Sequence, residues 1–486
     1  MNNVISPLPT TADYLQYYAL KTPDKVAMRW GHHASTFAQL HDHLVRCTEF
    51  LYRSLPALEA GQVVAVSTED FYWQWVSLLA LEHLGLCSVS VLPHEVDAAF
   101  VQKFSVGALI TSAPAVLPVP VLSVNARALA SQDSGARLQV PAQDRALHTA
   151  VRLLRTSGTT GEAKRIILDR RMWSGWTDSW DWYCHYGPES ICLIQHPFSI
   201  GGVYATSTAC LRAGGTVVKR DGRPFLQTLH DFGVSHATVL PIDLAALLQA
   251  PDGMPVLQQK IMLTSFGGVL PADLVAKCLD IFAHQVVDMY GTNEVAFIGA
   301  QVAGLHGRDA PGIGLWPGVQ VCVVNDQDEA LPTGESGHIK VRTPLMAARY
   351  EGDPASSDAM FIDGWFWPGD LGRMLPTGRL ELTGRHDDLI NIGGIKVNPA
   401  LAEAKLRSLD YVRDAAVLMG CGPDGVQTVV IAVAFDATGR MERLQKEAAP
   451  TMAAFGHLIE WVQVESIPRT PTGKVQRSAL RTKLQA

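Results

Sequence analysis

The hydrophobic pattern of the first two-thirds of the chain alternates short β-branched runs with amphipathic stretches. A strand is predicted over residues 61–68 and a helix over residues 71–85 that ends at the glycine, Gly85. Such alternation is typical of an α/β fold with buried parallel strands and covering helices. Further strands are predicted in CSVSVL, GALITS, PVPVLSV, GGTVVKR, HATVLP, KIMLTSF and HQVVDMYG.

The pattern changes in the last third of the chain. After GVQVCVVND the turns become closely spaced, which predicts small antiparallel hairpins. Farther on, Asn398 caps a predicted helix with Pro399 at its first position, and two strands and a helix follow. We therefore predict a large N-terminal domain (1–386) of stacked α/β subdomains with a β-rich subdomain. A small mobile α+β domain (387–486) should follow it.

Composition excludes several classes of function. The 486-residue chain has a formal net charge of −7 and no basic block, which argues against nucleic-acid binding. The first residues do not resemble a secretory signal, and no apolar run is long enough for a membrane span, so we expect a cytoplasmic protein. Eight cysteines without a C-x-x-C pair indicate reduced thiols rather than disulfides or zinc.

One loop, TSGTTGEAK at 156–164, has the composition of a phosphate-binding loop. It offers hydroxyls, glycines and a lysine, yet Ala163 and Arg165 stand where G-x-x-x-x-G-K-[ST] has glycine and a hydroxyl residue. By itself such a stretch is more often an ordinary turn. The helix predicted after it carries Trp173, Trp176 and Trp180 on one face, which we interpret as core packing rather than a ligand platform.

Five motifs that follow one another in order along the chain indicate the function of this loop. They are TSGTTGEAK (156–164), MYGTNE (289–294), GWFWPGDLG (364–372), LTGRHDDLINIGGIKVNP (382–399) and PRTPTGKVQR (468–477). Together they resemble the adenylate-forming superfamily of acyl- and aryl-CoA ligases, adenylation domains and luciferases. The resemblance covers almost the whole chain, and it implies ATP, Mg²⁺ and a carboxylic acid as reactants.

The resemblance implies a role for each motif residue. The loop would hold the β- and γ-phosphates of ATP through Thr156, Ser157, Gly158, Thr159, Thr160, Gly161 and Lys164. The adenosine would be held by Asp288, Tyr290, Gly291, Asp370 and Arg385. Thr292 would lie near the α-phosphate, and Glu294 would bind Mg²⁺, a cation that requires oxygen ligands.

Lys474 is the expected catalytic residue. Joining a carboxylate to an α-phosphate brings two anions together, so a positioned cation is the main contribution a protein can make. In the family this cation belongs to a small domain that rotates after adenylation. The resemblance implies a hinge at Asp387 and a thiol-transfer loop of Gly393, Gly394 and Lys396.

The segment from residue 195 to 215 corresponds to the acyl pocket of the family. His196 and Phe198 would gate it, although a structural histidine is an equal alternative, and Gly267 and Gly268 would lie beside the carboxylate. Amino-acid-activating domains carry aspartate where this chain has Ser199, and an unpaired ammonium is costly to bury. An α-amino acid is thus disfavoured, leaving an aryl or medium aliphatic carboxylate, with aryl preferred.

The sequence leaves two alternatives for the thiol that accepts the acyl group. No carrier domain follows Lys474, so the expected acceptor is coenzyme A, or else the phosphopantetheine of a separate acyl or peptidyl carrier protein. A catalytically silent nucleotide-binding relative is the alternative of a different class, and Glu294, Asp370, Arg385 and Lys474 argue against it. Nothing in the sequence favours a luciferase-like oxidation.

Overall fold

The computed structural model describes most of the chain in a few continuous stretches. The described residues are 8–130, 146–156, 164–241, 244, 247, 257, 259–268, 270, 272–304, 311–386, 390–392, 395–397, 399–421, 427–452, 459–470 and 473–485.

The largest sheet of the described chain has nine strands. Its spatial order is β15 (Gly314–Leu315), β14 (Ala296–Ala303), β13 (Ala283–Thr292), β12 (Ile261–Phe266), β11 (His236–Val239), β9 (Ile191–Ile194), β10 (Thr216–Lys219), β1 (Val26–Trp30) and β2 (His33–Thr36). The strands from β13 to β1 in this order are parallel, and the outer strands are antiparallel. The strands that the sequence predicted in GGTVVKR, HATVLP, KIMLTSF and HQVVDMYG all lie here.

A second sheet has six strands. Its order is β6 (Val121–Leu122), β5 (Val106–Thr111), β3 (Val63–Ser67), β4 (Cys87–Ser90), β7 (Ala150–Thr156) and β8 (Lys164–Asp169). Strands β7 and β8 form an antiparallel hairpin around the predicted phosphate loop, with Thr156 opposite Lys164. The sequence indicated only a helix after this loop. The intervening strand β8 was missed, because KRIILD is too short for its period to be distinguished from a loop.

Thirteen α-helices are found in the described part of the chain. They are α1 (Thr11–Lys21), α2 (Phe37–Ser54), α3 (Phe71–Leu84), α4 (Ala98–Lys103), α5 (Ala126–Leu129), α6 (Arg170–Cys184), α7 (Gly201–Arg212), α8 (Phe225–Phe232), α9 (Ala272–Ile281), α10 (Pro354–Met360), α11 (Pro399–Arg407), α12 (Met441–Met452) and α13 (Arg477–Gln485). None of these described helices is long and apolar enough to cross a membrane.

Local chemistry explains where the predicted helices begin and end. In α3 the Asp70 carboxylate accepts from the Tyr72 amide at 2.9 Å, and Gly85 ends the helix with a φ of 72°. In α6, Trp173, Trp176 and Trp180 are all buried, as the core-packing interpretation predicted.

The closely spaced turns produce the predicted antiparallel sheet. It runs β18 (Phe361–Ile362), β19 (Trp365–Phe366), β17 (Gly337–Arg342), β20 (Asp370–Met374) and β21 (Leu380–Arg385), with β16 (Gln320–Val324) also paired to β17. A short hairpin of β22 (Ile390–Ile392) and β23 (Ile395–Val397) follows.

The C-terminal residues form a sheet with its own hydrophobic clusters. It contains β24 (Val412–Cys421), β25 (Gln427–Phe435) and β26 (Ile459–Gln463), covered by α11 and α12 on one side and α13 on the other. These strands and helices match the predicted α+β unit. The boundary between residues 386 and 387 stays a prediction, since Asp387 lies outside the described residues.

Candidate functional site

The turn after β13 positions the MYGTNE motif. Strand β13 pairs with β12 in parallel and with β14 in antiparallel orientation, so Tyr290 lies on the middle strand of the three and Glu294 lies in the turn between β13 and β14. A Cβ on Gly291 would lie 2.4 Å from the Ala296 carbonyl oxygen. Only glycine allows this close approach of β13 and β14, and the turn depends on it.

Three predicted nucleotide-binding side chains meet at Asp370. The Tyr290 hydroxyl donates to Asp370 Oδ2 at 2.6 Å, and Arg385 Nη1 donates to Asp370 Oδ1 at 2.7 Å. Burial raises the pKa of Asp370, while Arg385, the Tyr290 hydrogen bond and Lys474 act in the opposite direction. We call this group the Asp370 cluster.

Lys474 reaches the same place from the far end of the chain. Its backbone is held in a tight turn between β26 and α13, where its amide donates to Thr470 Oγ1 at 3.1 Å and its carbonyl accepts from the Thr470 amide at 2.8 Å. The side chain is exposed, and its positive charge partly opposes the burial that raises the pKa of Asp370. The tertiary structure thus brings Lys474 within electrostatic range of the predicted ribose-binding carboxylate.

A second cluster forms around Glu294, which is 7% exposed. The Tyr350 hydroxyl donates to Glu294 Oε1 at 2.9 Å, and the Lys164 ammonium lies 4.7 Å from the centre of the Tyr350 ring. Burial and the Glu294 charge raise the pKa of the Tyr350 phenol, so it remains a hydrogen-bond donor. Tyr350 thus contacts both Lys164, the last residue of the phosphate-loop motif, and the predicted Mg²⁺ carboxylate.

Two buried polar atoms on β13 lack partners within the described structure. They are Asp288 Oδ1 and Thr292 Oγ1. Buried polar groups are normally hydrogen-bonded, so an orphaned acceptor and an orphaned hydroxyl on one strand indicate a surface completed by a ligand. The motif assigns both residues to the nucleotide.

Asp288 makes a testable contribution to stability. Burial raises its pKa from 3.8 to about 7. An aspartate whose pKa is higher in the folded than in the unfolded protein costs stability as the pH rises from 4 to 7, since the unfolded chain releases its proton first. We expect Asp288→Asn to gain stability relative to the wild type over this range, by up to about 4 kcal/mol.

Urea unfolding of the Asp288→Asn and wild-type proteins without nucleotide, at pH 5 and pH 8, measures this difference. Asp280→Asn is a matched control, because Asp280 lies at the end of α9 with its carboxylate on the protein surface. A stability difference between Asp288→Asn and wild type that does not change with pH would contradict the assignment.

The residues predicted to line the acyl pocket differ in how far they are buried. Phe198 is fully buried, with ring centres 4.7 Å from Phe71 and 5.2 Å from Tyr204, while His196 is only partly buried. Gly267 has a φ of 89°, so the chain beside Phe266 turns sharply where the acid was expected. Gly268 follows, and a Cβ there would lie 3.7 Å from Pro241.

Several predicted residues lie outside the described part of the chain. They are Ser157, Gly158, Thr159, Thr160 and Gly161 of the loop, Asp387 of the hinge, and Gly393 and Gly394 of the thiol-transfer loop. Lys396 lies in strand β23. Their roles stay predictions.

Sequence reasoning missed three residues that the structure places in contact with predicted site residues or with the segment that contains them. Tyr350 contacts Glu294, and nothing in the local sequence ARYEGDP indicates it. Arg152 donates to the Phe198 carbonyl oxygen and Lys219 to the Gln195 carbonyl oxygen, both in the segment assigned to the acyl pocket. For Arg152 a signal existed, since an arginine inside the apolar run VRLL occupies a core-facing strand position.

The described residues contain no group of three or more His, Cys, Asp or Glu that could hold a metal ion. A single carboxylate, Glu294, fits Mg²⁺ only if phosphate oxygens and water supply the other ligands, which is how this ion usually binds beside nucleotides. The orphaned Thr292 hydroxyl near the same turn is consistent with a phosphate there.

Comparison with known proteins places this geometry in a family. Residues 15–351, more than half of the chain, match the family described as AMP-binding enzyme. The chain is 27% identical over 395 residues to the fatty acid–[acyl-carrier-protein] ligase ScoC of Streptomyces coeruleorubidus, covering 77% of this chain and 75% of that protein. It is 28% identical over 347 residues to an indoleacetate–CoA ligase of Aromatoleum aromaticum, covering 67% of this chain and 66% of that protein.

The fold agrees with a solved structure. ATP-bound MatB from Rhodopseudomonas palustris superimposes with a TM-score of 0.84 at 22% identity, over 98% of this chain and 99% of that one. This match confirms the predicted α/β architecture, and the family match over residues 15–351 confirms the adenylate-forming resemblance. The chain belongs to the AMP-binding enzyme family of acid–thiol ligases.

Proposed function

We propose that this enzyme uses ATP to convert a carboxylic acid into an acyl-adenylate, releasing pyrophosphate, and then transfers the acyl group to the thiol of coenzyme A. The observation that carries the proposal is the Asp370 cluster. There Tyr290, Arg385 and the charge of Lys474, which come from three separate motifs, act on one buried carboxylate. Positioning and charge stabilisation are what the attack of a carboxylate on an α-phosphate requires.

Each cluster has a part in this reaction. Asp370 and Arg385 hold the ribose, and Tyr290 and Asp288 contact the adenine. Glu294, fixed by Tyr350, offers its carboxylate to Mg²⁺, which would neutralise phosphate charge. Lys474 bridges the attacking carboxylate and the α-phosphate, and Lys164 draws the β- and γ-phosphates toward the Glu294 side.

For the acid we propose an aryl carboxylate, with a medium aliphatic acid as the alternative. Phe198 and Phe266 flank the segment assigned to the pocket, and Phe198 has the rings of Phe71 and Tyr204 around it, with ring centres 4.7 and 5.2 Å away. Ser199 supplies no carboxylate for an α-ammonium group. An aromatic ring matches such a lining better than a charged amino acid does.

A panel of carboxylic acids tests the function through pyrophosphate release, first without an acceptor and then with coenzyme A. We expect aryl acids to release pyrophosphate and to form a thioester with coenzyme A alone. Thioester formation only with an added holo carrier protein would instead support a carrier-loading enzyme. No pyrophosphate release with any acid would support a silent nucleotide-binding relative.

The domain rotation gives a further prediction. Asp387→Pro is expected to keep acid-dependent pyrophosphate release but to lower thioester formation about 100-fold, because proline stiffens the backbone at the predicted pivot and misplaces the thiol-transfer loop. Separate assays of the two half-reactions measure this, and the first half-reaction is the internal control. Equal loss of both would contradict a hinge at Asp387.

A further inference from the structure

Two cations from different sheets hold the backbone of residues 195–198, which we call the gate segment. Arg152 on β7 of the six-stranded sheet donates through Nη2 to the Phe198 carbonyl oxygen at 2.7 Å. Lys219, the last residue of β10 in the nine-stranded sheet, donates to the carbonyl oxygens of Gln195 and His196. The gate segment is therefore fastened at both ends, once to each sheet.

Arg152 is a buried charge without an anionic partner. It is 2% exposed, donates to Ser88 Oγ at 3.1 Å and Ser90 Oγ at 2.9 Å, and stacks 4.5 Å from the centre of the Tyr204 ring. Its Nε finds no acceptor, and no carboxylate pairs with it in the described chain. Such a charge is costly to bury, so its retention calls for an explanation beyond stability.

A second buried arginine, Arg212, has its charge balanced by a carboxylate. Arg212 lies 3.2 Å from the carboxylate of Glu82 and also donates to Thr11 and Thr177. It thus has the anionic partner that Arg152 lacks. The positive charge of Arg152 is instead directed at neutral oxygens, one of which belongs to the gate segment.

Lys219 repeats the arrangement on the other side of the gate segment. Its ammonium lies 5.7 Å from the centre of the Phe71 ring, and burial lowers its pKa to about 8. Its hydrogen-bond partners are backbone carbonyl oxygens, and no described carboxylate forms an ion pair with it. Hydrogen bonds from a cation to a carbonyl are stronger than neutral ones, so two of them fix the backbone effectively.

Contacts connect the gate segment to Phe266, the residue before the glycines assigned to the acid. Helix α7 begins shortly after it, and a Cβ on Gly202 in its first turn would lie 2.8 Å from the Phe266 ring. Phe266 pairs with Met289 across β12 and β13, next to Tyr290. A shift of the gate segment would therefore displace Phe266, which precedes Gly267 and Gly268, the glycines expected beside the acid.

We propose that Arg152 and Lys219 are positioning residues that clamp the gate segment as one wall of the acid pocket, and so set the affinity for the acid but not for ATP. The inference rests on the proposed function, in which this segment lines the acid pocket. Loss of either clamp removes a cation–carbonyl hydrogen bond, and we expect the KM for the acid to rise about tenfold. The KM for ATP should remain unchanged.

Lys219→Met is the main test, because a lysine at a partly buried position is removed at lower risk to folding. Lys25→Met is its matched control: Lys25 also donates to a backbone carbonyl, that of Gly214 at 2.7 Å, and burial also lowers its pKa. Arg152→Met and Arg152→Lys form the second pair, with the lysine variant expected to restore part of the acid affinity. KM and kcat are measured for the best acid of the panel and for ATP.

Hydrogen–deuterium exchange of peptides covering residues 193–203 tests the clamp without any substrate. We expect about tenfold faster exchange in Lys219→Met than in wild type, and no change there in Lys25→Met. Unchanged exchange would overturn the clamp itself. Faster exchange with an unchanged KM for the acid, or with equal changes for acid and ATP, would overturn the positioning role. A wild type that activates no acid would refute the proposed function, while the exchange data would still decide whether the clamp exists.

Discussion

Replacing Lys474 with alanine is expected to lower acid-dependent pyrophosphate release about 100- to 1000-fold. This corresponds to the loss of roughly 3–4 kcal/mol of charge stabilisation in the transition state. The Lys474 side chain is exposed and its charge acts on buried Asp370, so its removal should weaken the reaction and not the fold. Pyrophosphate release with saturating acid and ATP, and thermal unfolding of the same samples, measure the two effects.

Lys483→Ala is the matched control for this substitution. Lys483 lies in α13 of the same C-terminal unit and donates to Ser466, away from the Asp370 cluster. The control should keep wild-type adenylation. If Lys474→Ala released pyrophosphate at the wild-type rate, another cation would have to join the acid and the nucleotide, and the proposed mechanism would be wrong.

The second large effect is expected for Asp370→Asn. The substitution would keep the shape of the side chain but remove the charge that accepts from Tyr290 and Arg385. Neutralising one partner of a buried ion pair typically lowers the free energy of unfolding by about 3–5 kcal/mol. Because Arg385 is partly exposed, we expect a loss of stability near the lower end, about 3 kcal/mol. We expect kcat/KM for ATP to fall about 100-fold, chiefly through KM, because the ribose contact is lost.

Asp363→Asn is suited as the control for Asp370→Asn. Asp363 is exposed and lies in the turn between β18 and β19, where its φ of 50° is a conformation that asparagine also tolerates. Steady-state kinetics over a range of ATP concentrations should show no change in this control. A normal KM for ATP in Asp370→Asn would place the ribose elsewhere than at the Asp370 cluster.

The motifs predicted the family and the candidate site residues from local sequence alone. Gly291 has to be glycine because β14 approaches it closely, and the order of the motifs led to the family that the comparisons confirm. The two helix ends at Asp70 and Gly85 were also predictable, since capping is a local interaction. Tyr350 was not, because its role depends on Glu294, which is 56 positions earlier in the chain.

The sequence by itself determined the classes of structure and chemistry: parallel layers followed by antiparallel hairpins, a C-terminal α+β unit and the candidate residues of five motifs. Only the tertiary structure decided which of these residues meet. It placed β1 beside β10 across a long separation, inserted β8 after the phosphate loop, joined Tyr290 and Arg385 at Asp370, and brought Lys474 within electrostatic range of that carboxylate. It also revealed Arg152 and Lys219 at the gate segment. The physical reason is that periodicity and capping depend on neighbours along the chain, whereas buried charges find their partners through contacts between distant strands.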